Sequence, residues 1–391
     1  MYLSIFSLSF SPNFQIMPLG NTQKLERQVA TLTLRSEAIA IQRAAWGIYS
    51  LLSIWKLDGV TQKIALPSFL CQSPLASIVL AGWEPEFCDV DPNTGNVSNS
   101  EWQRVIELGV DAILFVHLFG YIQDAGRIAA ICKSKGIYFI EDACQSFGGE
   151  MIGIPCGTSG DAAIISFGHT KTIDFGQGGM ILTNDLLLSK EIRNFQYYDL
   201  RMRTPNISVA ASEYRRLFYA ARDHLGKNPE LARKSFKGLL RIYEPLIFTA
   251  WDPGIAEAIS NQIDNLDILV RHRREKAEHY KSFLKDTALK PLEMSQGSVP
   301  WRVTFRLPGI GWDEQDLISE AVREEGIDIS SWYIPSHWLM ADDDSVSKTL
   351  DLTESLSREV FQLWVDERVD NEKIERTSTV LTNKLKVLGY A

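Results

Sequence analysis

Three side chains of different chemistry stand close together near the middle of the chain. Asp142 ends the apolar run 137–140 together with Glu141. Ser166 ends a second apolar run that begins at Ala162. Lys171 follows five residues later, and Gly176-Gln177-Gly178-Gly179 closes the stretch. A lysine amine can form a Schiff base with a carbonyl and shuttle protons. An acid can pair with a pyridine nitrogen and keep the ring protonated. Hydroxyls and backbone amides can hold a phosphate. Glycines let the backbone approach a ligand closely. Together these are the groups that a pyridoxal phosphate pocket needs, with Lys171 holding the cofactor. A lone lysine beside glycines is more often a surface lysine, so the weight rests on the order and spacing of the whole set.

The flanking sequence must position these groups. Residues 22–57 read as helical, with Trp46, Tyr49, Leu52 and Trp55 at helical spacing. Strand-like runs follow at 63–67, 85–90, 112–118, 137–140, 162–166 and 180–183. Helical patterns fall between them at 73–81, 98–108 and 124–135. This alternation predicts a mostly parallel sheet with helices on both faces, an α/β fold in which ligands collect beyond the carboxyl ends of the strands. Asp142 and Ser166 lie at such ends. As isolated residues, a helix N-cap and a turn serine would explain them equally well. Residues 198–250, rich in Arg, Tyr and Leu, break the alternation and read as two or three helices. A long helical pattern covers 254–284, with Ile259, Ile263, Leu266 and Val270 on one stripe. Beyond it come strand-like segments at 300–307 and 327–332, a helix at 313–325, an acidic loop at 342–344 and a terminal helix from Asn371. The expected organisation is an N-terminal arm (1–21), a large domain (22–253, with 198–250 as an atypical helical insertion) and a smaller α+β domain (254–391).

Composition narrows the classes of function. The chain has 391 residues and a formal net charge of -9, which speaks against a broad nucleic-acid or anionic-membrane surface. The basic run Arg271-His272-Arg273-Arg274 is followed by Glu275 and reads as a solvated helix face. Five cysteines without a CxxC pair argue against a disulfide framework or structural zinc and fit a reducing cytoplasm. The six histidines are scattered, so no metal site is expected. The apolar N-terminus lacks a basic region and contains Pro12 and Asn13. It reads as an arm rather than a signal peptide or a membrane span.

With these residues in view, the chain resembles the DegT/DnrJ/StrS family of pyridoxal-phosphate sugar aminotransferases, well over 38–197 and more loosely over 254–388. Glu141-Asp142-Ala143-Cys144-Gln145-Ser146-Phe147-Gly148 resembles the family's Glu-Asp-Ala-x-Gln pattern. Ser166-Phe167-Gly168-His169-Thr170-Lys171 matches its Ser-Phe-x-x-x-Lys. The resemblance implies fold type I of the pyridoxal-phosphate transferases. It also implies Asp142 at the pyridine nitrogen, Gln145 against the cofactor, Ser166 at the phosphate and Lys171 as the internal aldimine. The run Val116-His117-Leu118-Phe119-Gly120 resembles the family's Val-His-Leu-Tyr-Gly, with His117 read as a packed core histidine. Tyr333 and His337, in a segment like the family's Gly-Ile…Pro-x-His, become candidate substrate contacts, with loop packing an even alternative.

Departures from the pattern are equally specific. Gln177 stands where the family usually has Glu. Gln42-Arg43 stands at the start of the first large helix, where Gly-Thr often grips phosphate, and Arg43 could supply a guanidinium there. Cys71 occupies the position of a ring that often stacks on the cofactor, and reads as a small hydrophobe. The family's cross-dimer Asn-x-Arg pair is not found in 248–253. By resemblance the expected reaction moves an amino group from an amino acid, glutamate, to a keto group of a nucleotide-linked sugar, in a homodimer. A sugar dehydrase is an alternative, although relatives of that kind are expected to replace the lysine with histidine. A non-catalytic homologue that binds a sugar nucleotide or a protein partner is another.

Overall fold

The computed structural model describes residues 19–199, 207–222, 224, 229–331, 333–340 and 350–390. In chain order, helix α1 (Leu19–Leu32) leads to strand β1 (Glu37–Ile41) and helix α2 (Ala44–Ile54). Strand β2 (Lys63–Pro67), helix α3 (Gln72–Leu80), strand β3 (Glu84–Cys88) and helix α4 (Asn99–Glu107) follow. Then come β4 (Ala112–Val116), α5 (Ala125–Lys135), β5 (Tyr138–Asp142), a small hairpin of β6 (Glu150–Met151) and β7 (Ile154–Pro155), and strands β8 (Ala162–Ser166) and β9 (Gly179–Thr183). Helices α6 (Leu186–Asp199), α7 (Ile207–Arg222) and α8 (Pro229–Ile247) account for the segment that breaks the alternation.

The main sheet has seven strands in the order β1-β9-β8-β5-β4-β2-β3. Strands β8, β5, β4, β2 and β3 pair in parallel, and β9 runs antiparallel to both β8 and β1. Every residue of β4, β8 and β9 is buried, which is why their sequences are apolar up to the closing Ser166 of β8 and Thr183 of β9. Between them, α5 is bounded as its sequence requires. The Asp124 side chain accepts the Arg127 N–H at its start, and Gly136, at φ 69°, turns the chain away at its end.

The remaining elements build a smaller unit. Helices α9 (Ala256–Ile263) and α10 (Leu266–Leu284) lead into strands β10 (Lys290–Pro291) and β11 (Arg302–Arg306), then α11 (Trp312–Arg323) and α12 (Asp351–Glu359). Strand β12 (Val360–Trp364) and α13 (Asn371–Val387) complete it, with the sheet order β10-β11-β12. The stripe Ile259, Ile263, Leu266 and Val270 packs with Leu25, Ala143, Ile165 and Phe167 beside the main sheet. Farther along α10, Ala277, Tyr280 and Leu284 pack with Val303, Phe305, Ile318 and Leu381. One helix therefore contributes to two cores.

Three expectations are corrected. The helix read over 22–57 is interrupted by β1, whose residues pair with β9 from Glu37↔Thr183 to Ile41↔Gly179. Two of its five residues are alanines, so the local preference is helical, and pairing along the sheet edge overrides it. The single helix read over 254–284 is split at Asp264 and Asn265 into α9 and α10, after a short 3-10 turn at Pro253–Ile255. The strand read over 327–332 is absent among the described residues there, apart from one bridge between Ser330 and Gln362, and β12 takes the place beside β11. The expected acidic loop at 342–344, residue Trp332 and residues 1–18 of the expected arm lie outside the described residues.

Candidate active site

Asp142 is the last residue of β5, in the middle of the sheet, and is 6% exposed. The backbone N–H of Cys144 donates to its Oδ1 at 2.9 Å. Beneath it lies a buried support. His117 Nε2 meets Glu141 Oε1 at 3.0 Å, and the backbone N–H groups of Gly157 and Ser159 each donate to the Glu141 carboxylate at 2.7 Å. Burial works against the charge on Glu141, but the His117 donor and these backbone donors outweigh it and hold the carboxyl below its ordinary range. The Gln123 N–H donates to His117 Nδ1 at 3.2 Å, and the other ring nitrogen, Nε2, faces Glu141. The sequence reading of His117 as a packed core histidine agrees with this placement. His117, Glu141 and Cys156 bring three potential ligand atoms within 4.8 Å of one another, a grouping that the scattered histidines did not reveal. Those hydrogen bonds already occupy both imidazole nitrogens and both Glu141 oxygens. The group braces the strand end that carries Asp142.

Lys171 lies on the loop from β8 to β9. Because these strands are antiparallel neighbours, both ends of the loop are fixed in one ladder. Inside it, Phe167 N–H donates to the Gly178 carbonyl at 3.0 Å and Phe175 N–H to the Phe167 carbonyl at 2.8 Å. A Cβ on Gly179 would stand 2.6 Å from the Ile165 carbonyl oxygen, so only glycine fits there. The residue before the lysine, Thr170, adopts φ 68°, unusual for a β-branched side chain. Two contacts hold it: its N–H donates to Asp174 Oδ2 at 2.7 Å, and the Trp301 indole N–H donates to its Oγ1 at 3.2 Å. The fully buried Arg273 of α10 donates to the Lys171 carbonyl at 3.2 Å and to the Trp301 carbonyl at 3.2 Å. Lys171 Nζ lies 5.6 Å from the centre of the Trp301 ring.

The two strand ends and the loop open on one cavity of about 270 Å³, lined among others by Arg43, Cys71, Asp142, Ser166, Lys171 and Tyr243. Gln145 and Gln177 also reach its wall. The Gly168 N–H donates to Ser166 Oγ at 3.1 Å, which leaves the serine's own hydrogen free to donate into the cavity. Gln145 is held at both ends: its Oε1 accepts the Phe119 N–H at 2.6 Å and its Nε2 donates to the Tyr333 hydroxyl at 3.0 Å. Burial, with Asp142 beside it, pushes the Cys144 thiol well above its ordinary range, which makes it an inert part of the wall. Cys71 Sγ sits 3.2 Å from Ser73 Oγ.

The sequence candidates therefore divide. Asp142, Gln145, Ser166, Lys171, Arg43 and Cys71 share the cavity. Gln42 is buried behind it and lends its carbonyl to the Gly178 N–H at 2.8 Å. Tyr333 is buried against Phe119, its ring nearly parallel to it at 6.2 Å, and reaches the site through Gln145. His337 is engaged on both nitrogens, with Ser68 Oγ at 2.7 Å and Glu354 Oε1 at 3.1 Å. Sequence reasoning missed Tyr243, Trp301 and Arg273. The aromatic residues of the unusual 198–250 segment were the available signal for Tyr243. Arg273 was hidden in a run that reads as a solvated face.

The residues suit pyridoxal phosphate on the structure's own terms. A buried carboxylate and an amine face one cavity. Beside them α2 begins at Ala44 without a side-chain cap, and Arg43 Nε is buried without a partner. An uncapped helix start next to a guanidinium favours an anionic group.

The profile of the DegT/DnrJ/EryC1/StrS aminotransferase family matches residues 13–215 and 255–382. The chain belongs to this family. A dTDP-4-dehydro-2,3,6-trideoxy-D-glucose 4-aminotransferase of Saccharopolyspora spinosa is 27% identical over 289 residues, 73% of this chain and 69% of that protein. A pleiotropic regulatory protein of Geobacillus stearothermophilus is 34% identical over 172 residues, 44% of this chain and 46% of that protein, so this match spans less than half of the relative. Among solved structures, Helicobacter pylori PseC, an aminotransferase involved in the biosynthesis of pseudoaminic acid, superposes with a TM-score of 0.77 at 16% identity, covering 94% of this chain and 91% of that one. At that identity the likeness shows the fold, which is that of this family's aminotransferases. The family match passes over residues 216–254, the stretch that contains α8. No described helix is long and apolar enough to cross a membrane.

Proposed function

We propose that this chain is a pyridoxal-phosphate-dependent aminotransferase that moves an amino group from an amino acid, glutamate in the first instance, to the keto group of a nucleotide-linked sugar. The observation that carries this reading is the convergence of Lys171, Asp142 and Ser166 on one cavity beside the uncapped start of α2. When bound, the cofactor supplies a carbonyl that accepts the amino group and a ring that stores the electrons released at the reacting carbon. Lys171 Nζ holds the cofactor and then accepts and returns the proton at the reacting carbon. Asp142, with Oδ1 occupied by the Cys144 N–H, offers its other oxygen to the protonated ring nitrogen. Ser166 donates its hydroxyl to the phosphate.

In this reading the large and small domains meet near the start of α9, the enzyme is a homodimer, and it works in the cytoplasm. Two other readings rank lower. A dehydrase would be expected to carry histidine in place of Lys171. The nearby His169 stands at the cavity rim with its side chain 85% exposed, beside Asp174. A non-catalytic regulator is suggested by the name of one relative, but the retained amine and carboxylate argue against it.

The deciding experiment incubates the protein with pyridoxal phosphate, glutamate and a panel of nucleotide-linked keto sugars, then weighs the products. An amino sugar nucleotide is expected. Cofactor uptake with no product from any keto sugar would move the reading to the regulator.

A further inference from the structure

We infer that Tyr243, on the helix that the family match passes over, is a phosphate-binding residue of the cavity and acts together with Arg43. The inference rests on the cofactor reading above. Tyr243 reaches the cavity wall from α8, and Arg43, Ser73 and Ser166 share that wall. Ser73 and Arg43, which line the cavity with it, are the polar groups that act on its hydroxyl. Burial, reinforced by Cys71, pushes its pKa up to about 12 against the opposing effects of Ser73 and Arg43. The hydroxyl therefore keeps its proton and can donate.

The ring is held in place for this task. Tyr243 packs edge-to-face on Tyr214 with centroids 4.9 Å apart, and the Tyr214 hydroxyl donates to Gln72 Oε1 at 2.6 Å. Gln72 is the first residue of α3, whose start carries no side-chain cap, as does the start of α2 at Ala44. The donors on this part of the wall are thus a tyrosine, an arginine with a buried unpartnered Nε, and the hydroxyls of Ser73 and Ser166. Among the described residues that line the cavity, Asp142 is the one carboxylate, and its Oδ1 is taken by the Cys144 N–H. A set of donors without a carboxylate beside it selects a phosphate dianion over a neutral or cationic group.

Comparing pyridoxal phosphate with pyridoxal isolates this contact. Both offer Lys171 the same carbonyl, and only one carries the phosphate. The wild type and Tyr243→Phe are titrated with each compound and followed by visible absorbance, with thermal unfolding as a check on the fold. Tyr243→Phe keeps the ring against Tyr214. It is expected to weaken pyridoxal phosphate binding about tenfold, the worth of one hydrogen bond to a charged group, and to leave pyridoxal binding unchanged. In the wild type, inorganic phosphate should compete with pyridoxal phosphate and not with pyridoxal. That competition should weaken in Tyr243→Phe. Equal binding of pyridoxal phosphate by both proteins, or an equal loss for both compounds, overturns the inference. If Tyr243→Phe does not fold, Arg43→Gln is read by the same criteria. A wild type that takes up neither compound refutes the cofactor reading itself, a result distinct from a wild type that binds both compounds without regard to phosphate.

Discussion

From Asp142 to Gly179 the cavity wall is fixed by backbone: two strand ends, a loop clamped between antiparallel neighbours, and a glycine beside the Ile165 carbonyl that admits no other residue. On α7 and α8 the wall is fixed by rings. Tyr214 and Tyr243 pack together, and Phe248, just past α8, meets Tyr49 of α2 edge-to-face at 4.9 Å. Backbone-built walls tolerate little change, because each exchange breaks a hydrogen bond or forces a clash. Ring-built walls can be exchanged if volume and polarity are kept. The family match covers the first region and stops within α7, passing over α8. In the proposed reading the chemistry is held in the rigid wall, and the cover over it is free to differ.

The largest test of this contrast is Lys171→Ala, which should abolish transamination. General acid–base help alone is worth ~10²–10⁴-fold, and in the proposed reading the lysine also holds the cofactor. Turnover by that variant without an added amine would refute the assignment. Gly120→Ala comes next. Its Cβ would lie 1.8 Å from the Val299 carbonyl oxygen at a residue with φ 77°, so a stability loss of more than ~3 kcal/mol is expected in urea unfolding. A smaller shift would show that the turn at Gly120, packed against the Gln145 and Val299 carbonyls beside that wall, is softer than these contacts imply.

Glu141→Gln should cost ~2 kcal/mol at neutral pH by removing the charge that three donors address. Glu141 has a depressed pKa in the folded protein, so its contribution is present above the ordinary carboxylate value of 4.5 and is lost as pH falls below it. The acid side of the stability profile should therefore be flatter in the variant, as thermal melts across pH would show. An unchanged acid side would mean that another carboxylate governs it. Tyr214→Phe should have the smallest effect, about 1 kcal/mol for one lost hydrogen bond, with the amount of cofactor bound at saturation unchanged. A large loss of cofactor from that variant would make the cover as rigid as the strand wall.

The same contrast explains what the sequence made legible. The ends of β5 and β8 were readable because their apolar runs give way to polar side chains, Glu141-Asp142 and Ser166, in the last positions of the strands. Strand β1 was not, because an alanine-rich edge strand has no local signature and owes its form to pairing with β9. Strand β12 was not, because no Gly or Pro separates it from α12. Trp301 and Arg273 were invisible as site residues because they act on Lys171 through backbone carbonyls and a threonine hydroxyl, which follow from the fold alone. Tyr243 lies far from Lys171 in sequence, on a helix whose period reports only that one face is covered.

Helix α10 gives the arrangement a mechanical consequence. Its early turns are embedded beside the main sheet and its later turns in the smaller core, and Arg273 sits between them with its guanidinium tied to the Lys171 carbonyl. The helix acts as a shared axle with the lysine loop tethered at its waist. Any swing of one core against the other must strain that tether, so the small unit can adjust around a substrate only within the slack that two arginine hydrogen bonds allow.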